Sequence, residues 1–343
     1  MKALVLSGYK RLEYVEVAQP VPADDELLIR VAACGICGSD VHGYDGSTGR
    51  RLPPIIMGHE ASGVVEETGK AVSRFRRGDR VTFDSTVSCG KCFFCLRGQI
   101  NLCDQREVIG VSTPAFRRMG AFAEFVTVPE RIAYHLPTTM PFEHAALIEA
   151  VSVAVHAVSL TTITGGDRVA VIGAGMIGLL TLQAARHAGA SEVTVFDIDD
   201  TRLALASALG ATRTINSRNA NCVREMLENT DGRGADSALE CVGTSATVNL
   251  AMDMVRKGGQ VTLVGNIAPT IEINLQSIVT CQIRLQGSCA SSGEYEQCIA
   301  LMADGAIQVA PLISAVAPLR DGAAWFKRLY ERAPGLLKVV LQP

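Results

Sequence analysis

The chain has 343 residues, 48% hydrophobic and 20% charged. That is more than one hydrophobic core usually serves, so two domains are expected, and a disulfide-stapled or disordered chain is excluded. Lys and Arg number 32 against 35 Asp and Glu, a formal net charge of −3, which leaves no default polyanion-binding surface and makes nucleic acid an unexpected partner.

In chain order, Met1–Val5 reads as a first strand rather than a targeting signal. Short β-rich runs follow at Glu26–Ala33, Ala61–Thr68, Asp79–Phe83 and Ala121–Val128. Gly and Pro punctuate them, the pattern of a partly open β-barrel or sandwich. Between the first two runs lie Cys34-Gly-Ile-Cys37-Gly-Ser39-Asp40-Val-His42 and Gly58-His59-Glu60. A thiolate, an imidazole and carboxylates drawn from separate segments could bind Zn²⁺ and leave one position open. Taken alone, His59 also suits a satisfied loop histidine, and the Cys34/Cys37 pair suits redox chemistry or burial.

Cys89, Cys92, Cys95 and Cys103 are spaced for a closed tetrahedral Zn²⁺ that holds a loop. An iron–sulfur cluster is the main rival, although the last gap is long and Asp104, not proline, follows. Eleven cysteines, an odd number with four so clustered, argue for reduced thiols and a cytoplasmic protein.

From about Thr164 apolar strands alternate with helical segments, the mark of βαβ units and a parallel sheet. The strands read are Arg168–Ile172, Glu192–Phe196, Thr212–Ile215, Asp236–Cys241, Gln260–Val264 and Ile283–Gln286. Six strands suit a doubly wound sheet, giving an α/β fold. The uncharged run Val169–Ala185 carries Gly173, Gly175 and Gly178, so it is a poor membrane span. It fits instead a Gly-x-Gly-x-x-Gly turn opening a helix to about His187, with Asp197 ending the next strand. The glycines allow close approach of a pyrophosphate, and Asp197 can accept from the ribose hydroxyls. Asp197, Asp199 and Asp200 would repel a 2′-phosphate, and Ile198 offers it no cation, so NAD is expected rather than NADP. After Ser288 a helix near Glu294–Ala303, a proline-marked connection and a strand, Leu336–Leu341, return to the first domain.

These motifs, in this order, resemble the zinc-dependent medium-chain dehydrogenase/reductases, nearest the sorbitol (polyol) dehydrogenase and galactitol-1-phosphate 5-dehydrogenase branch. The resemblance spans Gly35 to Asp40, Gly58-His59-Glu60, the four-cysteine lobe, Leu147-Ile-Glu149 and the glycine motif. It implies a GroES-like catalytic domain over 1–150, a Rossmann domain over 151–288 and a return to the catalytic domain over 289–343, with residues of both domains meeting at the nicotinamide. It further implies a catalytic zinc on Cys37, His59 and Glu149, with Glu60 able to exchange as ligand, and a second, structural zinc in the cysteine lobe. Ser39 would accept the alcohol proton and relay it to His42, and Asp40 would orient the liganding imidazole. Ile177, Arg202 and Val264 match positions lining the cofactor. A homodimer or homotetramer is implied through the last Rossmann strand.

The departures bear on substrate. Glu149-Ala150 stands where sorbitol dehydrogenases commonly have Glu-Pro, and Cys289-Ala290 replaces a Phe-Arg pair. Arg117 and Arg118 could meet a phosphate or face water. The expected reaction is hydride transfer between a secondary alcohol, a sugar alcohol or its phosphate, and NAD. L-threonine or 2,3-butanediol as substrate is the runner-up, and a non-catalytic zinc- and NAD-binding module is the reading from another class.

Overall fold

The computed structural model describes residues 1–113 and 115–343. The chain separates into two compact units. One comprises Met1–Glu149, Tyr295–Ala303 and Val309–Pro343, and the other Ala150–Glu294 with Asp304–Gln308.

The first unit is built around the long strand Glu26–Gly35, whose apolar residues Leu27, Ile29, Val31 and Cys34 are buried. It pairs antiparallel with Glu60–Thr68, Phe125–Pro129 and Lys338–Gln342. A seven-stranded sheet results, with Arg80–Phe83 and Ala133–His135 at one end and Ile313–Pro318 at the other. A smaller sheet of Arg11–Glu16, Lys2–Gly8 and Ile55–Ile56 joins it over a core that includes Leu4, Leu6, Phe83, Phe122 and Phe326. Register decides what this unit can do. Cys34 lies opposite Ala61 and Gly35 opposite Glu60, so the turn that follows the first strand and the residues that precede the second are brought side by side, although more than twenty positions separate them.

The second unit is a six-stranded sheet in the order Arg213–Asn216, Glu192–Asp197, Arg168–Ile172, Ala235–Glu240, Val255–Leu263, Arg284–Gly287. Every pairing is parallel. Its central strands are buried along nearly their whole length, as a sheet covered by helices on both faces requires. The strand order reverses between Arg168–Ile172 and Ala235–Glu240, the switch point at whose carboxyl end such sheets bind nucleotides.

Two details differ from the sequence reading. The run Ala121–Val128 is a strand only from Phe125. Gly120, Ala121 and Phe122 instead donate to the carbonyls of Ile56, Gly58 and Met57, following an irregular neighbour rather than a ladder. In the tail, the proline-marked stretch holds a further strand, Ile313–Pro318, parallel to Lys338–Gln342 across the helix Gly322–Tyr330. No helix among the described residues is long and apolar enough to cross a membrane.

Candidate active site and metal centres

The short helix Gly38–Gly43 starts directly after Cys37, whose residue is its N-cap. One turn therefore presents Cys37, Ser39 and Asp40 together, while Glu60 opens the neighbouring strand and His59 directly precedes it. The Cys37 sulfur, a His59 nitrogen and a Glu60 oxygen all lie within 4.8 Å of one another. Ser39 Oγ stands 3.4 Å from His59 Nε2. Asp40 Oδ1 is 3.4 Å from His59 Nδ1, ion-pair distance without hydrogen-bond alignment. His42, on the same helix, is exposed.

The electrostatics of this cluster fit a cation. Burial pushes the His59 imidazole down, but Asp40 and Cys37 more than reverse this and raise it well above its usual value. Burial likewise opposes ionisation of Asp40, yet His59 and Arg51 hold its carboxyl down to about 2. A buried group of anions that binds a proton so firmly is one in which a divalent ion can take the proton's place, and mixed sulfur, nitrogen and oxygen donors suit Zn²⁺.

Glu149 begins the helix Ile148–Ser159. Its carboxylate stands outside the 4.8 Å group but within the field of His59, Glu60, Lys338 and Asp40, and burial pushes it up to about 7.

Cys89, Cys92, Cys95 and Cys103 form the second gathering, their sulfurs also within 4.8 Å of one another. Cys103 Sγ accepts from the backbone N–H of Cys89 at 3.2 Å and of Gln105 at 3.3 Å. Backbone N–H groups of Cys95 and Asp104 hold the Cys92 thiol down to about 6, while burial pushes Cys103 up to about 11. Four adjacent thiolates cannot all carry charge unaided, and a tetrahedral Zn²⁺ removes the conflict.

In the second unit the glycine motif opens the helix Met176–His187, whose N-cap, Gly175, supplies no side-chain acceptor. A Cβ on Gly178 would lie 1.8 Å from the Gly173 carbonyl oxygen, whereas one on Gly175 would meet open space. Gly178 is thus needed for packing, and Gly175 leaves an uncovered approach to the helix N–H groups, which fits a pyrophosphate. Asp197 accepts from Ala174 N at 2.5 Å, Ile198 N at 2.7 Å and Asp199 N at 3.0 Å. Capping of the next helix falls to Asp199, which accepts from Thr201 and Arg202. Arg202 lies 3.9 Å from Asp199, and Ile177 and Val264 are half-buried.

Residues 23–138 match the alcohol dehydrogenase GroES-like domain and residues 177–304 the zinc-binding dehydrogenase domain. Sorbitol dehydrogenase of Bacillus subtilis is 33% identical, over 100% of this chain and 97% of its own. The chain belongs to the zinc-binding alcohol dehydrogenase family. Galactitol-1-phosphate dehydrogenase from Escherichia coli superposes with a TM-score of 0.92 at 31% identity, covering all of both chains. A zinc-binding dehydrogenase from Sinorhizobium meliloti, solved bound to NADP, is 34% identical with a TM-score of 0.92, over 100% of this chain and 99% of that one. As a member of this family the protein is a zinc-dependent oxidoreductase.

Within this alcohol dehydrogenase site two cations are present that the sequence reading did not single out. Lys338 Nζ, 3% exposed, lies 2.8 and 2.6 Å from the two Glu60 oxygens and 3.1 Å from the Ile36 carbonyl. Arg51, 4% exposed, bonds Asp40. Neither lies in a motif. The signal available was a lone basic residue inside an apolar run, such as Lys338 before Val339, Val340 and Leu341. Arg118, considered for a phosphate, is instead ion-paired with Glu26 and Glu107. Cys34, outside the metal group, is buried in the core.

Proposed function

We propose that the protein oxidises a secondary hydroxyl of a sugar alcohol, free or phosphorylated, with NAD as hydride acceptor. The observation that carries this reading is the gathering of Cys37, His59 and Glu60 around Ser39, in a chain that also holds the Gly173 to Gly178 turn with Asp197. Support for the substrate class comes from the names of the relatives, a sorbitol and a galactitol-1-phosphate dehydrogenase. They favour polyols over L-threonine or a butanediol, and the complete set of reactive side chains argues against a non-catalytic module.

Cys37 and His59 would hold the catalytic zinc with a carboxylate from Glu149. Glu60, its charge already balanced by Lys338, would stand ready to exchange as ligand. Cys89, Cys92, Cys95 and Cys103 would hold the structural zinc. When bound, zinc supplies a Lewis acid for the alcohol oxygen, and the nicotinamide supplies the hydride acceptor. Ser39, which can both donate and accept, takes the alcohol proton. The exposed His42, three residues further along the same helix, passes it to solvent. Asp40, held ionised, keeps Nδ1 of His59 as the protonated nitrogen, leaving Nε2 for the metal.

Gly173, Gly175 and Gly178 would bind the pyrophosphate, Asp197 the adenosine ribose, and Ile177, Arg202 and Val264 would line the remainder. The preference for NAD rests on the acidic Asp197, Asp199 and Asp200. The division of labour follows: 1–150 with 289–343 as catalytic domain, and 151–288 as cofactor domain. The abundance of free cysteines supports a cytoplasmic setting.

The test is NADH absorbance on mixing the zinc-loaded protein with NAD and a panel of polyols, polyol phosphates, L-threonine and 2,3-butanediol. Turnover on a polyol or its phosphate is expected. Turnover confined to threonine or butanediol, or none, would overturn the reading.

A further inference from the structure

Arg51 touches both groups that flank the His59 ring. Its Nη2 lies 3.0 Å and its Nε 3.3 Å from Asp40 Oδ1, and the same Nη2 lies 3.4 Å from Ser39 Oγ. Asp40 in turn faces Nδ1 of His59 and Ser39 faces Nε2. One planar guanidinium thus spans the carboxylate on one side of the imidazole and the hydroxyl on the other.

Two features outside the ion pair fix Arg51 in place. Leu52 N donates to Ser112 Oγ, which anchors the segment that carries it. Gly43, the last residue of the helix bearing Ser39 and Asp40, leaves room for its stem, since a Cβ there would lie 2.3 Å from Arg51 Cγ and 3.1 Å from its Cβ.

We infer that Arg51 is a positioning residue for the proton relay, fixing Ser39 and Asp40 together against His59. The inference rests on the proposed function and deepens it. A guanidinium only donates. The Ser39 oxygen therefore accepts from Arg51, and its own hydrogen is left to turn toward another acceptor while a lone pair stays open for an alcohol proton. Asp40, sharing Oδ1 between Arg51 and His59, cannot rotate toward one without loosening the other. Lysine keeps the charge but loses the Nε contact to Asp40 and the planar group that holds Nη2 between the two oxygens, so it restores the ion pair better than the alignment.

The experiment compares Arg51→Gln, Arg51→Lys and Gly43→Ala with wild type. It reads kcat and KM for the alcohol and NAD, zinc retention at each site against a colorimetric chelator, and the melting temperature. Arg51→Gln is expected to lower kcat about ten- to a hundredfold with little change in KM for NAD, and to weaken retention of one zinc about tenfold, the usual scale for groups that orient metal ligands. Arg51→Lys should recover zinc retention more fully than kcat. Gly43→Ala alters no charge, and by displacing the arginine stem it should reproduce the loss of kcat. It also decides the matter if Arg51→Gln does not fold. Folded Arg51→Gln or Gly43→Ala protein with wild-type kcat and zinc retention would overturn the inference, as would a uniform fall in melting temperature alone. Failure of wild-type protein to bind two zinc ions, or to oxidise any polyol, would overturn the underlying function instead.

Discussion

Asp197 has a structural part to play beside the cofactor contact proposed for it. Its two oxygens accept from Ala174 N in the glycine turn and from the N–H groups of Ile198 and Asp199 beyond its own strand, so it ties the glycine turn to the neighbouring strand end. Because Asp199 caps the following helix, loss of Asp197 removes a tie rather than a cap. Asp197→Ala should weaken NAD use about ten- to a hundredfold, at about 1.4 kcal/mol per decade, and narrow the NAD/NADP ratio in kcat/KM, with some loss of stability. Steady-state kinetics with both cofactors, beside a melting curve, checks this, and an unaltered ratio would contradict it.

Glu294 offers a test away from the metal. It pairs with His156 Nδ1 at 2.6 Å and accepts from Ser292 N at 2.5 Å. Burial raises its carboxyl, but the His156 bond and backbone N–H groups outweigh burial and hold it below its usual 4.5. A depressed carboxyl contributes stability that is present above 4.5 and is lost as pH falls through the lower folded value. Glu294→Gln should therefore melt lower than wild type at pH 7, by about 1–2 kcal/mol of stability. The gap should close below pH 4. A gap independent of pH across that range would refute the assignment.

At the scale of elements, the cysteine lobe contains only the short 3-10 turns Cys95–Arg97 and Ile100–Leu102, with Phe93 and Leu96 exposed. Little apolar burial is available to order it, so metal binding there is folding free energy. Cys95→Ala should lower the melting temperature and release one zinc per chain while NAD affinity, read by fluorescence titration, stays near wild type. Equal zinc content in variant and wild type would count against this.

The grouping of these cysteines was legible because all four thiols lie in one short stretch. The parallel strands were legible too, since burial on both faces leaves apolar stretches such as Val169–Ile172 and Val193–Phe196 between helical segments. The Ile313–Pro318 strand was not, because its exposed Ser314 and half-buried Ala315 dilute the apolar pattern. Arg51 and Lys338 escaped for a different reason. Their meaning lies in partners set by sheet register, and a single basic residue in a loop or strand carries no periodic signal.

At the scale of the whole molecule, the outer strand of the parallel sheet, Arg284–Gly287, has one unpaired edge, and the helix before it exposes Leu275 at 66% and Val279 at 70%. An open edge beside apolar side chains is a surface that can self-pair about a two-fold axis, the arrangement behind the expected homodimer or homotetramer. If that expectation holds, Val279→Glu should shift the protein toward monomer by light scattering at micromolar concentration, and a wild-type monomer would contradict it.

The buried pair of Lys338 and Glu60 also sets an order of events during synthesis. The two residues are 278 positions apart. At about 5–20 residues per second, Glu60 leaves the ribosome many seconds before its counter-ion exists. Through that interval the nascent first unit carries a carboxylate that it cannot bury without cost. The contiguous parallel sheet between them can fold before that, whereas the first unit cannot complete this pair until its last strand has been made.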